Sequence, residues 1–218
     1  MKTDMQLQRD VIEEMAWQPN ISDAEIAVGA KNGVVTLSGF VNTYAQKYGA
    51  VRAAEKVRGV HAVADDLKVR LPQSLMRSDT DIAHAAVSAL KWDVEVPDTR
   101  IKALVDDGWV SLDGTVDWQF QRLAAERAVR HLSGVKGVIN RITVQQPKVS
   151  AYEVNLRIQE ALKRSAAVDA DKISIEAKDG KVVLRGTVRS WSEREDAERA
   201  AWAAPGVTEV DDEIAVAF

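Results

Sequence analysis

The sequence repeats one pattern of glycines three times. Within each set the glycines are 6 and then 20 residues apart, and successive sets are displaced by 75 and then 72 residues. The nine positions are Gly33, Gly39 and Gly59, then Gly108, Gly114 and Gly134, then Gly180, Gly186 and Gly206. A repeat of this length is too long for a solenoid and suits a small domain. We therefore predict three copies of one domain, at residues 1–71, 72–146 and 147–218, and expect features common to all copies to be scaffold.

Composition limits what such domains do. The 218 residues include 29 basic and 33 acidic side chains, a net charge of −4, with no basic cluster of the kind that binds nucleic acid. The chain has no cysteine, which excludes disulfides and thiolate chemistry. Domains of about 70 residues bury a thin core, so we expect no deep active-site cavity within any one copy. We also expect no catalytic, cofactor or metal site and no small-molecule substrate. Because no signal peptide is evident, we expect a cytoplasmic protein as written, or a periplasmic one if the sequence is a processed form.

Each copy has the signals of a helix, a hairpin, a second helix and a strand. A hydroxyl residue such as Thr3 precedes the first helical stripe of each copy, as N-cap residues do. The three hairpins contain Asn32-Gly33, Asp107-Gly108 and Asp179-Gly180, pairs that favour type I′ turns. The long connection before the last strand lets it run parallel to the second. We predict an α+β protein of three tandem αββαβ domains, each with a three-stranded mixed sheet and two helices on one face.

The order of these elements, the glycine in the hairpin strand and the Gly-Val after the second helix resemble the BON domain family across the whole chain. The last strand adds the family pattern V-x-x-V-x-[D/N]-x-[L/I]-x-V, which begins at Val60, Val135 and Val207. Members are mostly bacterial and include osmotically inducible proteins. The resemblance implies association with phospholipids or membranes, and it implies no catalytic residues.

Three possible sites are better explained as structure. The three histidines occupy unrelated positions and form no metal-binding pair. The segment 134–137 imitates the GxxG clamp of KH-type RNA binders, but the other two copies lack the second glycine, so we interpret it as a turn. Neighbouring acidic residues such as Asp65 and Asp66 alternate between the two faces of a strand, which prevents them from sharing a proton.

Six tryptophans are the most informative side chains. Trp17 and Trp92 occupy the same slot at the end of the first helix, where the third copy has Arg164. Because these two recur, we expect them to pack in the scaffold. Trp109 replaces Val34 and Lys181 on the polar sheet face, and Trp202 replaces Glu55 and Arg130 on the second helix; both are predicted to be exposed.

The candidate interaction surface consists of Trp109, Trp202 and Arg164, which differ between copies, and of Arg199, which lies one helical turn from Trp202. Exposed tryptophans mark contacts with another domain, a partner protein or lipid headgroups. By resemblance, the expected function is a non-enzymatic, stress-associated bacterial module that binds phospholipid at the membrane surface. The alternatives are a protein-interaction or chaperone-like scaffold and, more remotely, a KH-like RNA binder.

Overall fold

The computed structural model describes residues 2–21, 25–165 and 170–217, which form three domains numbered here in chain order. Domain 1 contains α1 (Asp4–Ala16), β1 (Glu25–Lys31), β2 (Val34–Val41), α2 (Tyr44–Lys56) and β3 (Ala62–Val69). Domain 2 contains α3 (Asp79–Trp92), β4 (Ile101–Asp106), β5 (Trp109–Val116), α4 (Gln119–Arg130) and β6 (Gly137–Val144). Domain 3 contains α5 (Ala151–Arg164), β7 (Ile173–Lys178), β8 (Lys181–Val188), α6 (Trp191–Trp202) and β9 (Glu209–Val216).

The three sheets have the predicted topology. Their strand orders are β1-β2-β3, β4-β5-β6 and β7-β8-β9, so the second strand of each domain is central. The first pair of strands is antiparallel in every domain, and β3 and β9 run parallel to β2 and β8. The α+β assignment with three mixed sheets is therefore confirmed.

The repeated glycines serve two different backbone requirements. In the hairpin turns, Asn32 and Gly33 have φ values of 50° and 80°, and the other two hairpins match, which confirms the predicted type I′ geometry. Gly39 lies inside β2 with φ of 121°, and a side chain there would collide with the carbonyl oxygen of Glu25. The second glycine of each set is thus required because neighbouring backbone occupies the space of a Cβ atom.

The core of each domain lies between two helices and one sheet face. In domain 1 the stripe of α1 ending at Met15 faces the inward side of β2, which includes Val35 and Leu37. The second helix turns small residues such as Ala50 and Ala54 toward the sheet, which lets its backbone approach closely. The opposite face of each sheet is left uncovered by its own helices.

Domains 1 and 2 pack against each other through α2 and α4. The guanidinium of Arg130 lies over the ring of Tyr48, 3.4 Å from its centroid, and donates a hydrogen bond to Glu126 at 2.8 Å. The Tyr44 hydroxyl is hydrogen-bonded to the main chain of Val138, and burial raises the pKa of this phenol. These two domains lie largely in one compact unit of the chain, and domain 3 forms most of a second.

Candidate interaction surfaces

Trp17 and Trp92 are the most exposed tryptophans among the described residues. Their exposed fractions are 84% and 85%, so the expectation that they pack in the scaffold is wrong. Each indole follows the last buried residue of its helical stripe, Met15 or Leu90, by two positions. Two residues correspond to about 200° around a helix, which turns the indole away from the core. This spacing is a sequence signal that identifies the slot as solvent-facing.

The same slot in domain 3 is also solvent-facing. Arg164 follows the buried Leu162 by two positions and is exposed at the end of α5. It lines an open groove of about 630 Å³ between α5 and α6, together with side chains that include Glu160 and Ala203. The structure therefore places Arg164 on the surface, as part of a charged groove.

Few basic residues lie next to the exposed indoles of domains 1 and 2 in the sequence. The last turn of α1 has no basic residue before Trp17. Trp92 lies between Lys91 and Asp93, and Val94 beyond them is almost completely exposed. Along the sequence, therefore, neither indole is flanked by a cluster of basic residues.

Trp109 is exposed at 47%, as the comparison of the copies predicts, whereas its role in binding stays a prediction. Its six-membered ring covers Gly137, and a methyl group on Gly137 would overlap that ring. The ring is held across the surface of its own sheet. This packing explains Gly137, the second glycine of the GxxG-like segment, because the other copies have smaller or flexible side chains in place of Trp109.

Trp109 belongs to an uncovered face of the domain 2 sheet that carries apolar side chains on all three strands. The outward residues, which we call the domain 2 sheet face, are Lys102, Leu104 and Asp106 of β4; Trp109, Ser111 and Asp113 of β5; and Gly137, Ile139 and Arg141 of β6. Leu104 and Ile139 are 63% and 42% exposed, and Ser111 is buried. Sequence reasoning found Trp109 but missed Leu104 and Ile139, although strand alternation places both on the outward face.

An ion pair lies at one end of the domain 2 sheet face. Arg141 donates two hydrogen bonds to the Asp113 carboxylate, at 2.9 and 3.0 Å. These bonds lower the pKa of Asp113 and raise that of Arg141. Arg141 thus contacts the outward Asp113 of β5, and Gly137 contacts the outward Trp109 of the same strand. Both contacts show that Gly137 and Arg141 lie on the outward side of β6.

Trp202 does not have the exposed position predicted for it. Its ring is partly buried against the core of domain 3, and its Nε1 donates to Glu198 at 3.2 Å. Trp202 follows the buried Ala201 directly, so it lies close to the buried side of α6. Glu198 is four residues earlier, about one helical turn, which brings its carboxylate within reach of the indole N–H. Arg199 is exposed and forms an ion pair with Asp196 at 3.0 Å. Of the four candidates, Trp109, Arg164 and Arg199 are surface residues.

The described residues offer neither a metal site nor a membrane-spanning helix. Across residues 2–21, 25–165 and 170–217, no group of three or more His, Asp or Glu side chains is arranged to hold a metal ion. None of the helices in those segments has the length and apolar character that crossing a membrane requires.

Comparison with known proteins gives the same family three times. The family model described as the BON domain matches residues 3–70, 78–146 and 153–217. Osmotically-inducible protein Y of Escherichia coli (strain K12) is 39% identical over 125 residues, which cover 56% of this chain and 62% of that protein. An uncharacterized protein of Anaplasma centrale, in the gshII 5' region, is 34% identical over 101 residues, which cover 44% of this chain and 67% of that protein. The match thus spans less than two thirds of protein Y.

A solved structure of CdsD, a structural protein of the Type III secretion system of Chlamydia trachomatis, is also similar at low level. It is 15% identical, the similarity covers 96% of this chain and 91% of that one, and the TM-score is 0.28. A similarity this low adds nothing to the assignment of function.

Proposed function

The chain belongs to the BON domain family, and from this premise we propose that it is a stress-associated protein that binds phospholipid surfaces and has no catalytic role. Its similarity to an osmotically inducible protein supports the association with stress. Lipid association is the function implied by the family resemblance. The surface of the chain supplies a physical route to it.

The observation that carries the proposal is the pair of exposed indoles, Trp17 and Trp92. A tryptophan side chain combines a large apolar ring with an N–H donor, which suits it to the headgroup region of a bilayer. Moving such a ring from water into an apolar environment is favourable by about 2–3 kcal/mol. Two indoles on one chain therefore provide a modest, reversible affinity for a membrane surface.

The charge of the protein indicates which lipids it binds. The net charge is −4, and neither indole is flanked by a basic cluster in the sequence. Attraction to anionic headgroups depends on clustered Lys and Arg residues, so this contribution is small. We expect similar binding to neutral and anionic vesicles, with little dependence on salt concentration.

Co-sedimentation with phosphatidylcholine vesicles, with and without phosphatidylglycerol, tests the proposal. Trp17→Ala and Trp92→Ala should each weaken binding about tenfold, which corresponds to part of the transfer free energy of one indole. The double variant should weaken it further. Trp109→Ala is the matched control, because that ring is held against its own sheet and should not enter lipid.

Two outcomes would contradict this function. The first is a wild-type protein that stays in the supernatant with both vesicle types at low salt. The second is a double variant that binds as well as the wild type while Trp109→Ala loses binding. Circular dichroism of the variants should match the wild type, because both indoles lie outside the core.

A protein-interaction role is supported by a different observation, the apolar side chains of the domain 2 sheet face. Leu104, Trp109 and Ile139 are exposed together on one sheet, whereas Trp17 and Trp92 are at helix ends. Flat apolar sheet surfaces are typical of packing against another protein layer. This surface is separate from the lipid-binding indoles.

A further inference from the structure

We propose that two copies of the chain associate through the domain 2 sheet face, related by a two-fold axis that runs across the strands. The proposal does not depend on lipid binding, because it uses none of the residues assigned to that function. The domain 2 sheet face presents Leu104 and Ile139 along its middle and Trp109 at one end, and the ends of its strands also carry charged side chains.

The middle of the face exposes two aliphatic side chains in one row. Leu104 pairs with Ser111 in the β4–β5 register. Ile139 lies on the other side of Ser111, because its neighbours two residues away, Gly137 and Arg141, contact Trp109 and Asp113. A two-fold axis along this row places the exposed Leu104 and Ile139 opposite the same residues of the second copy. Two such rows stacked face to face remove apolar surface from water on both copies, at the spacing of about 10 Å usual for packed sheets.

The charges on β4 select a second copy of the same chain as the occupant. The outward residues of this strand read Lys102, Leu104 and Asp106, so opposite charges lie on either side of the leucine. Both charged side chains are exposed, and neither has an ion-pair partner within the described segments of the chain. A two-fold axis along the row through Leu104 reverses the strand direction and places Lys102 of each copy opposite Asp106 of the other.

The other two strands are complementary under the same axis. The axis places Gly137 of one copy opposite Arg141 of the other. Because the ring of Trp109 covers Gly137, this ring faces Arg141 of the second copy. A guanidinium can stack on an indole while it keeps its two hydrogen bonds to a carboxylate, here that of Asp113. An axis parallel to the strands would instead oppose Lys102 and Arg141, which have like charges. The charge pattern thus distinguishes between the two arrangements.

The strength of this association is limited by area. One face of a three-stranded sheet is smaller than the roughly 800 Å² per partner of a standard stable interface. We therefore expect a reversible dimer with a dissociation constant of about 10–100 μM. An association of this strength responds measurably to a single reversal of charge, because each reversal affects two symmetric contacts.

Sedimentation equilibrium of the full chain from micromolar to millimolar concentration tests the proposal. The Lys102→Asp substitution should place two carboxylates opposite each other at each contact. The Asp106→Lys substitution should place two ammonium groups opposite each other. Each should raise the dissociation constant about tenfold. An equimolar mixture of these two variants should regain wild-type association, because both contacts of the mixed dimer are again between opposite charges. The double variant K102D/D106K should also regain it.

Ser174→Asp is the matched control, because Ser174 occupies on β7 the place that Lys102 occupies on β4, and it should leave association unchanged. A wild-type chain that stays monomeric at millimolar concentration overturns the proposal, and this is the result if lipid or a different protein covers the face. Single charge reversals without effect also overturn it. A mixture that stays monomeric overturns the two-fold arrangement.

Discussion

The uncovered sheet faces of domains 2 and 3 have the same strand order and differ in their outward side chains. In domain 3, Lys181 contacts Glu209 at 2.9 Å and Asp211 at 3.3 Å, and Arg185 contacts Glu213 at 2.6 Å and Glu176 at 2.8 Å. The charges of this face are thus paired with one another. The corresponding surface of domain 2 is apolar along its middle.

This difference shows that the fold leaves the outward face free to vary. The turn glycines, the strand order and the inward Val and Leu of the central strand are the same in both domains. A face of mutually paired charges is well solvated and has little to gain from a partner. A face with Leu104, Trp109 and Ile139 gains free energy when it is covered.

The largest expected effects are on the free energy of unfolding, and they test the repeated strand glycine that the two domains share. Gly114→Ala and Gly186→Ala introduce a Cβ atom that collides with the carbonyl oxygens of Arg100 and Lys172, at positive φ values of 149° and 147°. Each substitution should lower the unfolding free energy of its own domain by about 3 kcal/mol. Guanidinium unfolding measures the loss, and hydrogen exchange locates the affected domain.

Gly29→Ala is the control for those two substitutions. Gly29 lies in β1 without a positive φ, and no atom lies within 4 Å of a Cβ placed there. Its substitution should change stability by less than about 0.5 kcal/mol. Similar losses at all three positions would show that strand glycine in general, and not close backbone approach, explains the repeated pattern.

The sequence predicts the repeated scaffold well, because each signal is local. The type I′ turn at Asn32 and Gly33 requires a particular backbone conformation, and few residue pairs adopt it. Alternation in β2 identifies the inward Val35 and Leu37 for a similar reason. These requirements are the same in every copy, so a pattern that recurs strengthens the prediction.

Surface roles are harder to predict because they depend on where a helix or sheet turns its side chains. Recurrence suggested that Trp17 and Trp92 pack, although a shared slot can equally be a shared exposed position. Trp202 is unique to its copy, yet its ring lies along α6 and reaches the core. The contact of Trp109 with Gly137 involves residues 28 positions apart, which no local pattern reveals.

A smaller effect is expected where the Trp109 ring covers Gly137, which is specific to domain 2. Gly137→Ala should displace the ring and destabilise the domain by about 1–3 kcal/mol, the usual cost of overpacking. In a Trp109→Lys background, which has the residue of domain 3 at this position, the same substitution should be nearly neutral. A double-mutant cycle from denaturant unfolding measures this coupling, and a coupling of zero would contradict the packing described for the ring.

The smallest effects concern the surface ion pairs, and they have opposite pH dependence in the two domains. Hydrogen bonds from Arg141 lower the pKa of Asp113, so this contribution to stability is present above the ordinary value of 3.8 and is lost as the pH falls through the lowered pKa. Hydrogen bonds to Glu209 and Asp211 raise the pKa of Lys181, so its contribution is present below 10.5 and is lost as the pH rises through the raised pKa.

NMR titration of the Asp113 carboxyl group and the Lys181 ammonium group measures both shifts. Arg141→Gln should return the pKa of Asp113 toward its ordinary value and leave that of Lys181 unchanged, and Glu209→Gln should lower the pKa of Lys181 alone. Both shifts should shrink in about 1 M salt, because exposed charges are screened over a few ångströms at that concentration. A shift that persists in high salt would mean that the pair is shielded from solvent. For Asp113 in domain 2, shielding by a second copy predicts greater persistence at the protein concentrations at which the dimer forms.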